Sequence, residues 1–155
     1  MRTPCNAVVA IAAGLVITGT AIGQERSIKR SQLPAAVEKT VAANASNAEV
    51  RGFTEEKENG QTFYEAEFVV DGRSRDILMD TAGNIVEVEE QVPLDKLPAA
   101  VRAGIVAQAG KGKIRSVESI TKHGALVAYE AHILTGKKYT EVQVGPDGQR
   151  LDHEE

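Results

Sequence analysis

Leu33-Pro34-Ala35-Ala36-Val37 recurs letter for letter as Leu97-Pro98-Ala99-Ala100-Val101, 64 residues further on. A helix-starting word repeated at that distance constrains the chain to build one supersecondary unit twice. The register continues: Val41 matches Ile105, Val50 matches Ile114, Arg51 matches Arg115 and Gly60 matches Gly124. After one inserted residue, Tyr64-Glu65-Ala66 matches Tyr129-Glu130-Ala131, Gly83 matches Gly148 and Glu89-Glu90 matches Glu154-Glu155. These matches divide the chain into a first repeat at 24–92, with its core at 32–91, and a second at 93–155.

Each repeat is expected to open with a helix. Pro34 and Pro98 suit a first turn, where a missing N–H costs nothing. Leu33, Val37 and Val41 recur every four residues, as do Leu97, Val101 and Ile105, which draws one apolar stripe along each helix. Asn44 to Asn47 and Gly110 to Gly112 are the stops. The period then changes to two: Tyr64, Ala66, Phe68 and Val70 alternate with Glu65 and Glu67, and Val86 and Val88 with Glu87 and Glu89. Asn59-Gly60, Asp71-Gly72, Gly83-Asn84, His123-Gly124, Thr135-Gly136 and Asp147-Gly148 separate the runs and favour the positive φ of tight hairpins. The predicted fold class is α+β, a tandem repeat of one helix plus a four-stranded antiparallel meander, with the helices packed on one sheet face. The six-residue joint Gln91 to Lys96 is too short to let the halves swing freely.

Residues 1–23 read as an address. Arg2 is their only charge, Ala7 to Ile17 is apolar apart from Gly14, and Ala21 and Gly23 suit the −3 and −1 positions of a signal-peptidase site. The rival reading, a retained anchor, needs about 20 apolar residues, and this run is short and diluted by Gly and Thr. Cleavage removes Cys5, so the exported chain is expected to have no cysteine and no stable membrane anchor. That excludes disulfides, thiolate metal sites and a cysteine nucleophile. The whole chain carries a formal charge of −4 and has no basic block, so nucleic acid is not an expected partner.

The Leu-Pro-Ala-Ala-Val helix start, the Tyr64-Glu65-Ala66-Glu67 strand, the Asp71-Gly72 turn and Asp80-Thr81-Ala82-Gly83-Asn84 before an acidic strand resemble the PepSY-like group, also described as β-lactamase-inhibitor-protein-like. The resemblance covers roughly residues 32–155. It implies a small exported α+β module in tandem, without enzymatic activity, that grips a protein with the open face of its sheet. PepSY domains are thought to restrain peptidases. The inhibitor's face is rich in aromatics and its fold holds disulfides. Here Tyr139 is the one aromatic expected on that face, so the resemblance carries architecture and not β-lactamase inhibition.

Catalytic patterns are weak. No Gly-x-Ser-x-Gly elbow occurs, and Ser116, Ser119 and His123 are a scatter. Gly110-Lys111-Gly112-Lys113 lacks the phosphate-loop pattern and follows a helix instead of opening one. Glu87, Glu89 and Glu90 read as a charged strand edge that blocks edge-to-edge pairing. His132 beside Glu130 reads as a cross-strand surface partner, and His153 as part of a solvated acidic tail. Asn44-Ala45-Ser46 matches a glycosylation sequon of high chance rate.

The chain is therefore expected to be a periplasmic or secreted binding module, not an enzyme, with no cofactor and no metal site. Its partner is expected to be a protein, a peptidase or a sensor. The face left uncovered by the helices supplies the candidate contact residues: Glu65, Glu67, Arg73 and Arg75 in the first repeat, and Glu130, His132, Lys137, Tyr139 and Glu141 in the second. The alternative reading is a periplasmic ligand or metal-ion sensor using Asp71, Asp80, Asp147 and the His153 tail as donors.

Overall fold

The computed structural model describes residues 24–153 and 155; the proposed signal peptide at 1–23, with Cys5, lies outside the described residues. Ten regular elements follow in order. They are β1 (Gln24–Ser27), α1 (Ala35–Asn44), β2 (Glu49–Glu58), β3 (Gln61–Val70), β4 (Arg73–Asp80), β5 (Ile85–Gln91), α2 (Ala99–Ala109), β6 (Lys113–Lys122), β7 (Ala125–Thr135) and β8 (Lys138–Val144). Short 3-10 turns at Arg30–Gln32 and Leu94–Lys96 lead into the helices. Among the described residues no helix is long and apolar enough to cross a membrane.

The local chemistry explains the elements. Pro34 and Pro98 cap the helices from one position outside them, with φ of −56° and −50°, and their carbonyls accept the first helical N–H bonds from Glu38 and Arg102. Asn44 closes α1 by donating to the carbonyl of Thr40 at 2.9 Å. Gly110, at φ 55°, closes α2. Asn59-Gly60, Asp71-Gly72 and His123-Gly124 all hold positive φ at both positions, the geometry whose twist matches two-residue hairpins.

The eight strands form one antiparallel sheet in sequence order, β1 to β8. The halves are continuous through β5 and β6, where Glu87 to Gln91 pair with Lys122 to Glu118. Both helices cover the same face. Val37 and Val41 of α1 bury against Phe53, Tyr64, Ala66, Phe68, Ile77 and Met79. Leu97, Val101 and Ile105 of α2 bury against Val117, Tyr129, Ala131, Ile133 and Val144. Each fully buried Val or Ile contributes about 1.5–3 kcal/mol.

Two features depart from the sequence expectation. Among the described residues the second half has three strands, and the segment after β8 adds a single bridge between Val144 and Arg150. Gly145-Pro146 removes an N–H at the point where a strand would restart, and Gln149 to Asp152 lack the β-branched run of Ile85 to Val88. The eighth strand is instead β1, which pairs Gln24 to Ser27 with Lys57 to Thr54 of β2. The second departure concerns Glu87, Glu89 and Glu90, which do not guard an edge: β5 is an interior strand, paired on both sides.

Candidate functional site: the open face of the sheet

Residues directly opposite one another in an antiparallel sheet share a face, so the pairing register assigns every side chain. Glu67, Asp76 and Glu89 form one row across β3, β4 and β5 on the side away from the helices. Glu65, Leu78, Glu87 and Lys122 form the next. Toward the other end, Gln91, Glu118, Glu130 and Gln143 line up across β5 to β8, flanked by Ser116, His132 and Glu141. Glu56 and Phe63 extend the face toward β2.

This surface is dense in carboxylates and poor in cations. Lys122, 3.8 Å from Glu87, and His132 lie among them, and Lys113 sits at the margin of the face opposite Leu134. The crowding shows in the acidities. Burial, reinforced by neighbouring carboxylates, pushes Glu65 up to about 8 and Glu89 up to about 9. The same two causes push Glu56 and Asp76 each up to about 7. Burial also raises Glu130, against the opposing hydrogen bond from Gln143.

Glu118 goes the other way. Burial penalises its charge, but hydrogen bonds from His132 and Ser74 and the attraction of the imidazole outweigh that and hold it below the usual carboxylate range. His132 is raised in turn, chiefly by its contact with Glu118, against the cost of burial. His132 Nε2 lies 3.3 Å from Glu118 Oε2 and 3.5 Å from Glu130 Oε1, and its Nδ1 lies 3.3 Å from Glu141 Oε1. Glu118, Glu130 and Gln143 are each only 7% exposed.

Glu65, Glu67, Glu130, His132, Tyr139 and Glu141 all lie on the open face by register, as the alternation predicts. Arg73 and Arg75 do not. They pair with Val70 and Phe68 and so project on the helix side, where Arg75 Nε meets Glu90 Oε1 at 3.1 Å in a shallow groove bordered by Val92 and Pro93. The two-residue Asp71-Gly72 turn sets that parity, because it places Val70 opposite Arg73. Lys137 sits in the exposed β7–β8 turn, outside the strands. Tyr139 is joined on the face by Phe63.

Glu118 was missed from the sequence. Counting back from the His123-Gly124 turn sets Glu118 opposite Tyr129, on the core side; an irregularity between Ile120 and Thr121 shifts the register by one and brings Glu118 opposite Glu130. Asp71, Asp80, Asp147 and His153 are not gathered into one site. Asp80 turns its oxygens onto Ala82 and Asn84 of its own turn, and Asp147 accepts from Gln149.

No family model matches this chain, and no curated protein matches it. Solved structures do share its fold. A protein from Bacteroides eggerthii, described as a candidate periplasmic protein, aligns at 18% identity over 77% of this chain and 86% of its own, with a TM-score of 0.63. A DUF2874-family protein from Bacteroides ovatus aligns at 18% identity over 77% and 85%, with a TM-score of 0.61. A BLIP-like protein from Bacteroides fragilis aligns at 18% identity over 75% and 81%, with a TM-score of 0.55. At these identities the likeness is one of fold.

Proposed function

We propose that this chain is a periplasmic, non-catalytic binding module of the PepSY-like kind, whose two repeats present the open sheet face to a positively charged protein partner and restrain it. A peptidase is the partner class that the PepSY-like resemblance suggests. The observation that carries the reading is the row structure of that face. Glu65, Glu67, Asp76, Glu87 and Glu89 crowd the interior of the sheet with Lys122 as a neighbouring cation, and a cationic partner laid against them favours the ionised carboxylates that burial now disfavours. The helices cover the opposite face, so the open one is the broad surface left for recognition. Complementary charge of this kind speeds encounter and rejects wrong partners more than it adds raw affinity. The periplasmic neighbours and the BLIP-like neighbour agree with the reading at the level of architecture.

Capture from a periplasmic extract, followed by titration of the captured protein, tests the proposal. The expected partner is basic, its affinity falls with added salt, and the Glu65→Gln, Glu67→Gln, Glu141→Gln triple variant weakens it at least about tenfold. Arg73→Ala and Arg75→Ala, on the opposite face, leave it unchanged. Binding that survives the triple variant but is lost in the arginine variants moves recognition to the helix-side groove and overturns the assignment. Turnover in a panel of peptidase and esterase substrates overturns the non-catalytic part.

A further inference from the structure

We propose that Glu118, Glu130 and His132 form a binding site for a divalent cation of the zinc class. Their donor atoms converge from adjacent strands, and all three lie within 4.8 Å of one another. One oxygen of each carboxylate is already committed to a neutral donor: Ser74 Oγ donates to Glu118 Oε1 at 3.0 Å, and Gln143 Nε2 donates to Glu130 Oε2 at 2.8 Å. The two remaining oxygens, Glu118 Oε2 and Glu130 Oε1, both turn toward His132 Nε2. Behind the ring, Nδ1 lies 3.3 Å from Glu141 Oε1, so a proton kept on that side frees Nε2 to ligate once an ion replaces the proton it shares with Glu118. Each of the three donors is thus braced from behind by a different side chain, the arrangement that orients ligands around a bound metal.

The spacing suits a bound ion. An ionic N–H···O bond closes to about 2.7–2.9 Å, shorter than the 3.3 and 3.5 Å found between His132 Nε2 and the two oxygens. A tetrahedral ion with bonds of about 2.0–2.1 Å holds its ligand atoms about 3.3–3.4 Å apart. The two edges at His132 Nε2 fit the second geometry, and the oxygen–oxygen edge lies within 4.8 Å. One imidazole nitrogen and two carboxylate oxygens, with a fourth position left for water, is a zinc-type donor set. Calcium takes six to eight oxygens at about 2.3–2.6 Å, which this cluster cannot provide. The ion would also take over an electrostatic role now filled by His132: Glu118 and Glu130 face each other directly across β6 and β7 while nearly buried, with the imidazole against both, and like charges so placed repel unless a positive group offsets them.

This site shares the open face and Glu141 with the protein-binding reading, but the metal titration is read without any partner, so either can fail alone. The test is titration of the chelator-washed protein with ZnCl2, and separately with CoCl2. One ion per chain at micromolar concentration is expected, and Co²⁺ bound to the unaltered protein should show the intense visible bands of tetrahedral coordination. His132→Ala, with its fold checked by circular dichroism, should weaken Zn²⁺ by at least about 100-fold, and Glu141→Gln by about 10–100-fold. His153→Ala should change nothing. Zn²⁺ binding only at millimolar concentration, a pale octahedral Co²⁺ spectrum, or a folded His132→Ala variant with unchanged affinity overturns the proposal. The cobalt spectrum requires no variant, so a failure of His132→Ala to fold leaves the test intact.

Discussion

The hydroxyl of Thr40 donates to the carbonyl oxygen of Gly83 at 2.7 Å, tying the middle of α1 to the turn that launches β5. In the second half Gly104 takes the place of Thr40, and a Cβ there would run into the carbonyl of Gly148. The same helix-to-turn contact is therefore made once by a hydrogen bond and once by bare backbone approach. Gly148 itself, at φ 81°, lies against the Ala100 carbonyl as Gly83 lies against that of Ala36. Replacing a mid-helix glycine by alanine ordinarily stabilises by up to about 1 kcal/mol. Gly104→Ala is expected to do the reverse, by about 1–3 kcal/mol, because the new methyl meets backbone that cannot step aside. Thr40→Ala should cost about 1 kcal/mol for its lost hydrogen bond. Urea denaturation measures both, and a stabilised Gly104→Ala would show that the contact is loose.

Stability should fall as pH rises. Glu89, Glu65, Glu56 and Asp76 are pushed to about 9, 8, 7 and 7 in the folded protein, above their values in an unfolded chain. Between roughly pH 4.5 and 9 the folded state therefore holds more protons than the unfolded one, so the free energy of unfolding declines across that window. Below it, Glu118 and Asp80, both held low, lose their stabilising ionisation. Melting temperature should peak in mildly acid solution and drop steadily toward pH 9, and Glu65→Gln should flatten the decline. A melting temperature that climbs from pH 5 to 9 would contradict the burial of these carboxylates.

The two hydrophobic clusters should unfold together. Ile105 is fully buried in the second cluster, so Ile105→Ala is expected to cost about 2–5 kcal/mol. Because β5 and β6 pair along five residues, and the Val92 N–H donates to the Val117 carbonyl at 2.8 Å, that loss should be felt by both halves. Hydrogen exchange should show amides of β3 and β7 losing protection in parallel. Retained protection in β3 while β7 exchanges freely would mean that the halves are separate cooperative units.

The parts of this architecture written in side chains were legible in the sequence. The stripes Val37–Val41 and Val101–Ile105, the Asn-Gly and Asp-Gly turns, and the acidic alternation of β3 all carry a local pattern. The parts written in backbone pairing were not. Strand β1, Gln-Glu-Arg-Ser, has no apolar face and exists because β2 offers it an unpaired edge. The match of the second repeat to the first implies a fourth strand after Asp147-Gly148, where Gly145-Pro146 interrupts the pairing and leaves one bridge at Arg150. Arg73 and Arg75 were placeable, since a two-residue turn fixes parity and a slip of one residue exchanges the faces. The pairing of Glu118 with Glu130 was not, because it depends on the register shift beside Ile120, which no residue type announces.

Gln143 holds the buried end of the open face, and its removal gives a test of how strongly. Its amide nitrogen donates to Glu130 Oε2 at 2.8 Å, while its carbonyl oxygen accepts the backbone N–H of Glu155 at 2.8 Å. Gln143→Ala leaves Glu130, 7% exposed, with one carboxylate oxygen unpaired, and an unsatisfied buried group of this kind costs about 1–3 kcal/mol. If that desolvation is the cause, neutralising the acid should relieve it. Gln143→Ala made on a Glu130→Gln background should then cost less than on the native chain, with a coupling energy of about 1 kcal/mol or more in a double-mutant cycle. Additive losses in urea denaturation would instead assign the role of Gln143 to packing and to anchoring the C-terminal residue.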